Sequence, residues 1–109
     1  MSKTAKQILE EARALIADPQ HWTRGCMARG MDGEEVGLTG NYAVCWCSLG
    51  AINRVGVITL PDGSLQYDAA FHQAYGRLSA VIGDSSIADF NDTHSHAEVL
   101  AVFDKALQL

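Results

Sequence analysis

The sequence predicts an α+β domain, mainly α, in which about four helices surround a buried central helix over residues 42–54, with one or two small β-hairpins. Three observations predict it. From Tyr42 to Ile52 the only polar side chain is Ser48, and a helix with no wet face is wrapped by its neighbours rather than laid on them. Three further stretches, one near each end and one after Asp68, carry apolar residues at helical spacing. Finally, 109 residues with 48% hydrophobic and 19% charged content describe an ordinary globular chain, enough for one core and one domain spanning 1–109.

Taken in order, Ile8, Leu9, Ala12, Leu15 and Ile16 form an apolar stripe, with Lys6, Glu10, Glu11 and Arg13 on the other faces. This predicts an amphipathic helix from Lys3 to Ala17. Asp18-Pro19 ends it, because a residue before proline avoids the helical region. Large residues alternate with small or polar ones from Trp22 to Ala28, and Met31-Asp32-Gly33-Glu34 has turn chemistry, so Trp22–Ala28 pairs with Glu35–Leu38 in a short hairpin. Gly37, Gly40 and Asn41 give a tight entry to the central helix, with Asn41 as its cap. Trp46 is its keystone: truncating a buried Trp to Ala costs about 3–5 kcal/mol.

Leu60-Pro61-Asp62-Gly63-Ser64 is a turn, compatible with a second small hairpin. Asp68 caps the next helix, whose stripe is Phe71, Ala74, Tyr75, Leu78, Val81 and Ile82, and Gly83 terminates it. Residues 85–94 read as a polar connector holding Ile87 and Phe90. Ser95-His96-Ala97-Glu98 matches a capping box. It opens a last helix with Val99, Val102, Phe103 and Ala106 inward and Lys105 near its negative end.

The charge balance, 8 Lys+Arg against 13 Asp+Glu for a net −5, argues against a nucleic-acid partner, whose phosphates need cations. A partner with a basic surface is compatible. No apolar run approaches the ~20 residues of a membrane span, and the N-terminal stretch does not read as a signal peptide. Three cysteines, an odd number, suit a reducing, cytoplasmic compartment.

Cys45-Trp46-Cys47 is the first candidate for chemistry. On a helix, residues two apart point about 200° away from each other, so the two thiols cannot share one ion. Cys45 and Cys47 are therefore read, with Trp46 and Gly50, as structural. Asp92, His94 and His96 lack the paired spacing of a zinc site. A Cys45 nucleophile served by His94 or His72 and by Asn91 or Asp92 matches no hydrolase signature. No phosphate loop or metalloprotease motif occurs. No catalytic residue, metal or cofactor is predicted. Asn91, Asp92 and His94 form a polar patch before the last helix that suits contact with a ligand or partner. Trp22 and Arg24 are of the types that anchor interfaces. Ser95 and Glu98 are structural.

Several of these runs share one pattern: Ala14-Leu15-Ile16, Trp22, Ala28-Arg29-Gly30-Met31-Asp32-Gly33, Ala43 to Ile52 with its Cys47-x-x-Gly50-Ala51-Ile52 core, Asn91-Asp92, and Ser95 with Glu98-Val99-Leu100. It resembles an uncharacterised family of short bacterial and phage proteins, domain of unknown function 6197, over nearly the whole chain. Phe90 stands where members often have Trp, and His94-Ser95 where they tend to have Arg-Thr. The resemblance implies a bacterial or mobile-element origin and supplies no activity. The expectation is a small, soluble, non-catalytic protein-binding or regulatory module. It would act on a protein partner, not on nucleic acid or membrane, with a homodimer through a strip such as Leu100 and Leu107 also open. The alternative is a small cysteine/histidine enzyme or zinc protein using Cys45, His94 and Asp92.

Overall fold

The first helix forms where a capping box starts it. Thr4 Oγ1 accepts from Gln7 N at 3.1 Å while Gln7 Oε1 accepts from Thr4 N at 2.9 Å, satisfying two N–H groups that no helical carbonyl can reach. The computed structural model describes residues 3–109. Their elements are α1 (Ala5–Leu15), a 3₁₀ turn (Pro19–His21), β1 (Ala28–Arg29), β2 (Cys45–Trp46), α2 (Ser48–Gly56), β3 (Ile58–Thr59), β4 (Leu65–Gln66), α3 (Ala69–Ile82), α4 (Ile87–Thr93) and α5 (His96–Leu107). The fold is α+β and mainly α. Five helices and two small antiparallel sheets make up the described residues.

α1 buries Ala5, Ile8, Leu9 and Ala12, followed by Ile16 just beyond it, and packs on α2, α3 and α5. The core between them is filled by Ile8, Leu9, Ile52, Leu78, Val99 and Phe103. The helix expected over 42–54 is corrected: helical structure begins only at Ser48. Cys45 and Trp46 are strand β2, paired antiparallel with β1 in the register Ala28↔Trp46 and Arg29↔Cys45. Tyr42 is 81% exposed and Val44 37%. A short apolar run does not by itself distinguish buried helix from strand, and Val, Cys and Trp suit the pleated geometry. The cap of α2 is accordingly Cys47, whose Sγ accepts from Gly50 N at 3.3 Å, not Asn41.

The first hairpin is also re-paired. β1 takes β2 as its main partner, while the 35–38 segment contributes the bridge Arg29↔Glu35 and the bond Val36 N to Ala28 O at 3.1 Å. Trp22 forms a parallel bridge to Trp46 on the other side. The expected turn between them is present: Gly30 N donates to Glu34 O at 2.8 Å, and Gly33 has φ 83°. The second hairpin is formed by β3 and β4, with Ile58↔Gln66 and Thr59↔Leu65 opposite one another.

Asp68 caps α3 as read from the sequence, accepting from Phe71 N at 3.1 Å, and Gly83 ends it at φ 90°. The 85–94 connector is in fact helix α4, capped by Ser86, which accepts from Asp89 N at 3.1 Å. Its buried residues are one turn apart, Ile87 and Asn91, and one is polar, so no apolar stripe announced it. The capping box at α5 is present, with Glu98 N to Ser95 Oγ at 3.1 Å and Ser95 N to Glu98 Oε1 at 2.9 Å. Hydrogen bonds from Ser95 to the Glu98 carboxyl, from its backbone N–H first and then its hydroxyl, hold that carboxyl below its usual value. No helix of the described residues is long and apolar enough to cross a membrane.

One close approach seats the β1–β2 pair on α2. A Cβ placed on Gly50 would overlap the Met27 carbonyl oxygen and lie 2.8 Å from its carbon. Both atoms are backbone and cannot swing aside. Gly50→Ala is expected to destabilise the fold by about 1–3 kcal/mol, the range of an overpacked interior. Urea unfolding checks this; an unchanged midpoint would remove the contact from the argument.

Candidate functional site

Asn91 is fully buried, at 0% exposure. Its side chain is the meeting point of two remote segments, Trp22–Thr23 and Ser48. Oδ1 accepts from Trp22 Nε1 at 2.7 Å, from Ser48 N at 2.9 Å and from Ser48 Oγ at 2.6 Å. Nδ2 donates to Thr23 O at 3.0 Å and to Asp92 Oδ1 at 3.3 Å. Ser48 opens α2, so the amide oxygen of Asn91 takes one of the N–H groups that the first turn leaves without an acceptor, beside the Cys47 sulfur that takes another. The positive end of the α2 dipole meets a carbonyl oxygen rather than apolar packing.

The residues read as partner contacts gather around this amide. Arg24 Nε donates to Asn91 O at 3.4 Å and Nη2 donates to His94 O, two carbonyls where α4 ends. The same guanidinium lies over the Trp22 ring, 4.9 Å from its centroid. Asp92 Oδ1 accepts from Gly25 N at 3.0 Å. His94 stacks on Phe90 with centroids 3.7 Å apart and planes 13° from parallel. Its Nδ1 lies 2.9 Å from Phe90 O; a carbonyl only accepts, so that contact places the proton on Nδ1. Trp22, Arg24, Asn91, Asp92 and His94 thus belong to one cluster, and their polar atoms are directed at the protein's own backbone and side chains.

Three participants were not read from the sequence as part of this cluster. Ser48 had a signal, as the lone polar residue in an apolar run. Thr23 contributes only its backbone carbonyl to Asn91, which no side-chain pattern reveals. His96 donates from Nε2 to Ile16 O at 2.6 Å and packs 5.3 Å from the Trp22 ring. It closes the cluster onto the end of α1.

The cysteine–tryptophan–cysteine run divides. Trp46 is buried, donating from Nε1 to Leu38 O at 3.4 Å with the Arg54 guanidinium 5.1 Å from its ring centroid. Cys47 is buried at 4% exposure. Burial pushes its thiol above the ordinary value, against the weaker lowering by the N–H groups of Gly50 and Leu49. Cys45 is only partly buried, a correction to its reading as core, and its Sγ faces Arg29 O at 4.0 Å. Cys26 is partly buried as well, with Sγ 3.4 Å from Ala28 O. Neither His94 nor Asp92 is a hydrogen-bond partner of Cys45. Among the described residues no group of three or more His, Cys, Asp or Glu is placed to hold a metal ion.

A second feature lies at the opposite end of the β1–β2 pair. Gly30, Met31, Asp32 and Glu34 face Asn41, Tyr42 and Val44 across an open cleft of about 290 Å³. Met31 is 89% exposed. The apolar run hid this surface, since it placed Tyr42 and Val44 inside a helix.

The chain belongs to a family of unknown function, DUF6197, whose match covers residues 1–109. The resemblance drawn from the sequence motifs therefore holds for the whole chain. No curated protein and no solved structure matches it.

Two outcomes follow from this geometry. Asn91→Leu keeps the side chain's branching and heavy-atom count but removes the acceptor of three donors, two of which, Ser48 N and Oγ, are buried; at about 1–3 kcal/mol for each buried group left unpaired, a loss of at least about 2 kcal/mol is expected in chemical denaturation. A loss below about 1 kcal/mol would show that the cluster contributes nothing beyond packing. In the native protein at about pH 8, alkylation is expected at Cys26 and Cys45, with Cys47 reacting only after unfolding. Equal rates at all three thiols, read by peptide mass spectrometry, would contradict the placement of Cys47.

Proposed function

We propose that the protein is a non-catalytic protein-binding module of the cytoplasm, which engages its partner through the cleft between the 30–35 turn and residues 41–44. The observation that carries the reading is the pair Met31 and Tyr42, exposed by 89% and 81% beside Val44 at the rim of a cleft. Large apolar side chains grouped at a concave surface mark interaction sites more often than chance exposure does. The five clustered residues Trp22, Arg24, Asn91, Asp92 and His94 act in this reading as the support. They hold the 22–25 segment against α2 and α4, and the neighbouring β1–β2 pair carries the cleft. A protein partner, rather than nucleic acid, suits both the net charge of −5 and the acidic residues Asp32 and Glu34 at the cleft. The cytoplasmic setting rests on the three free cysteines.

Immobilised wild-type protein and a Met31→Asp/Tyr42→Asp double variant, both shown to be folded by circular dichroism, test this in lysate of the organism that encodes the chain. The wild type is expected to retain a defined protein and the double variant to lose it. Retention of the same protein by both, or of nothing specific by the wild type, would remove the reading.

A further inference from the structure

Resting on that protein-binding reading, we infer that the occupant of the cleft is a cationic, apolar segment of a different protein, one in which Lys or Arg alternates with aliphatic residues. Asp32, Glu34 and Glu35 are all exposed around the turn. The ion pairs of the described residues are Lys3–Glu11 and Arg13–Asp104, neither of them here. Arg29, the cation of the adjoining strand, has its donors committed to uncharged oxygens: Nε donates to Thr23 Oγ1 at 3.0 Å, Nη1 to Gly33 O at 3.0 Å and Nη2 to Arg24 O at 2.9 Å. Its guanidinium serves backbone and hydroxyl oxygens and leaves the carboxylates without an ion-pair partner. Glu34 is held in place by its own loop, with Oε1 accepting from Asp32 N at 3.2 Å. That bond fixes one carboxylate at the cleft before anything binds.

Apolar surface supplies the second half. Lys and Arg lay their aliphatic stems along apolar groups while keeping the charged head at the edge. Tyr42 offers a ring face to such a stem or to the cation itself, and the flexible thioether of Met31 adapts to the side chain it meets. The heads then reach Asp32 and Glu34 at the rim, with Glu35 exposed next along the chain, while aliphatic neighbours lie toward Val44. An anionic polymer is disfavoured by the same carboxylates.

A second copy of this chain is a poor source of the cations. Of its eight Lys and Arg residues, Lys3 and Arg13 are in ion pairs. Arg24, Arg29 and Arg54 are bound to backbone carbonyls. The others, Lys6, Arg77 and Lys105, stand one each on α1, α3 and α5, with no strand-like spacing to match the cleft.

The test titrates the full chain, by calorimetry, with two peptides of about ten residues, one alternating Lys with Leu and one alternating Glu with Leu. Two variants accompany the wild type: Asp32→Asn/Glu34→Gln/Glu35→Gln, and Met31→Ser/Tyr42→Ser. The Lys-Leu peptide is expected to bind the wild type and to bind either variant about tenfold more weakly, with affinity falling as salt rises. The Glu-Leu peptide is expected not to bind. Equal affinity of the charge variant, comparable binding of the two peptides, or no binding of either would overturn the inference. So would self-association of the wild type, in sedimentation, that Met31→Ser/Tyr42→Ser abolishes, because the occupant is then a second copy. Running the charge variant in the lysate experiment separates the two levels. If it keeps the partner that the apolar variant loses, the protein-binding reading stands and the cationic occupant falls.

Discussion

The amide oxygen of Asn91 accepts three donors from two segments far from it in the chain, the Trp22 indole and the backbone and hydroxyl of Ser48. The two Ser48 donors are buried and cannot fall back on water, so each one lacking an acceptor carries a full desolvation penalty. The three contacts therefore hold together or fail together. Asn91 also reaches Thr23 O through its N–H₂ group, which ties the 22–25 segment, the start of α2 and helix α4 at one point. Apolar packing elsewhere in the core tolerates repacking among side chains of similar volume. A directional polar junction does not, and it sets how α4 sits on α2.

The same junction accounts for several of the residues on which the resemblance was drawn from the sequence. Cys47 caps α2, Gly50 admits the Met27 backbone, Ala51 and Ile52 are fully buried, and Asn91 closes the junction. The motif is architectural. It describes how the β1–β2 pair is held on α2, so it fits a scaffold better than a reactive centre. The exposed apolar surface lies outside this junction, in the 30–35 turn and residues 41–44. There the side chains are apolar and exposed beside carboxylates that no Lys or Arg neutralises in an ion pair. Polar groups turned inward and apolar groups turned outward reverse the ordinary arrangement, and on the reading proposed above that reversal separates a supporting cluster from a binding surface.

Local chemistry was legible wherever it acts over a turn or less of chain. The α1 stripe, the Asp68 cap, the Gly83 stop and the Ser95–Glu98 box all depend on neighbours within about four residues, and they appear where the sequence places them. Trp22, Arg24, Asn91, Asp92 and His94 were also legible as residues of interest, by chemical type. Their meeting was not, because Asn91 and Trp22 are 69 residues apart and nothing local brings them together. Seven-residue α4 escaped for a related reason. Its inward face is Ile87 and Asn91, and a polar residue becomes an inward one only when its partners are in place.

By itself the sequence determined the composition of a small α+β core, the terminal helices with the cap of the last one, the turn after Leu60 and the membership of a family. Tertiary structure alone decided that residues 42–47 are not helix, that Cys45 and Trp46 pair with β1, and that Tyr42 faces solvent. The physical reason is that an apolar run states only a preference for leaving water. Which part of the run leaves water depends on partners such as Ala28, Met27 and Asn91, supplied from distant parts of the chain.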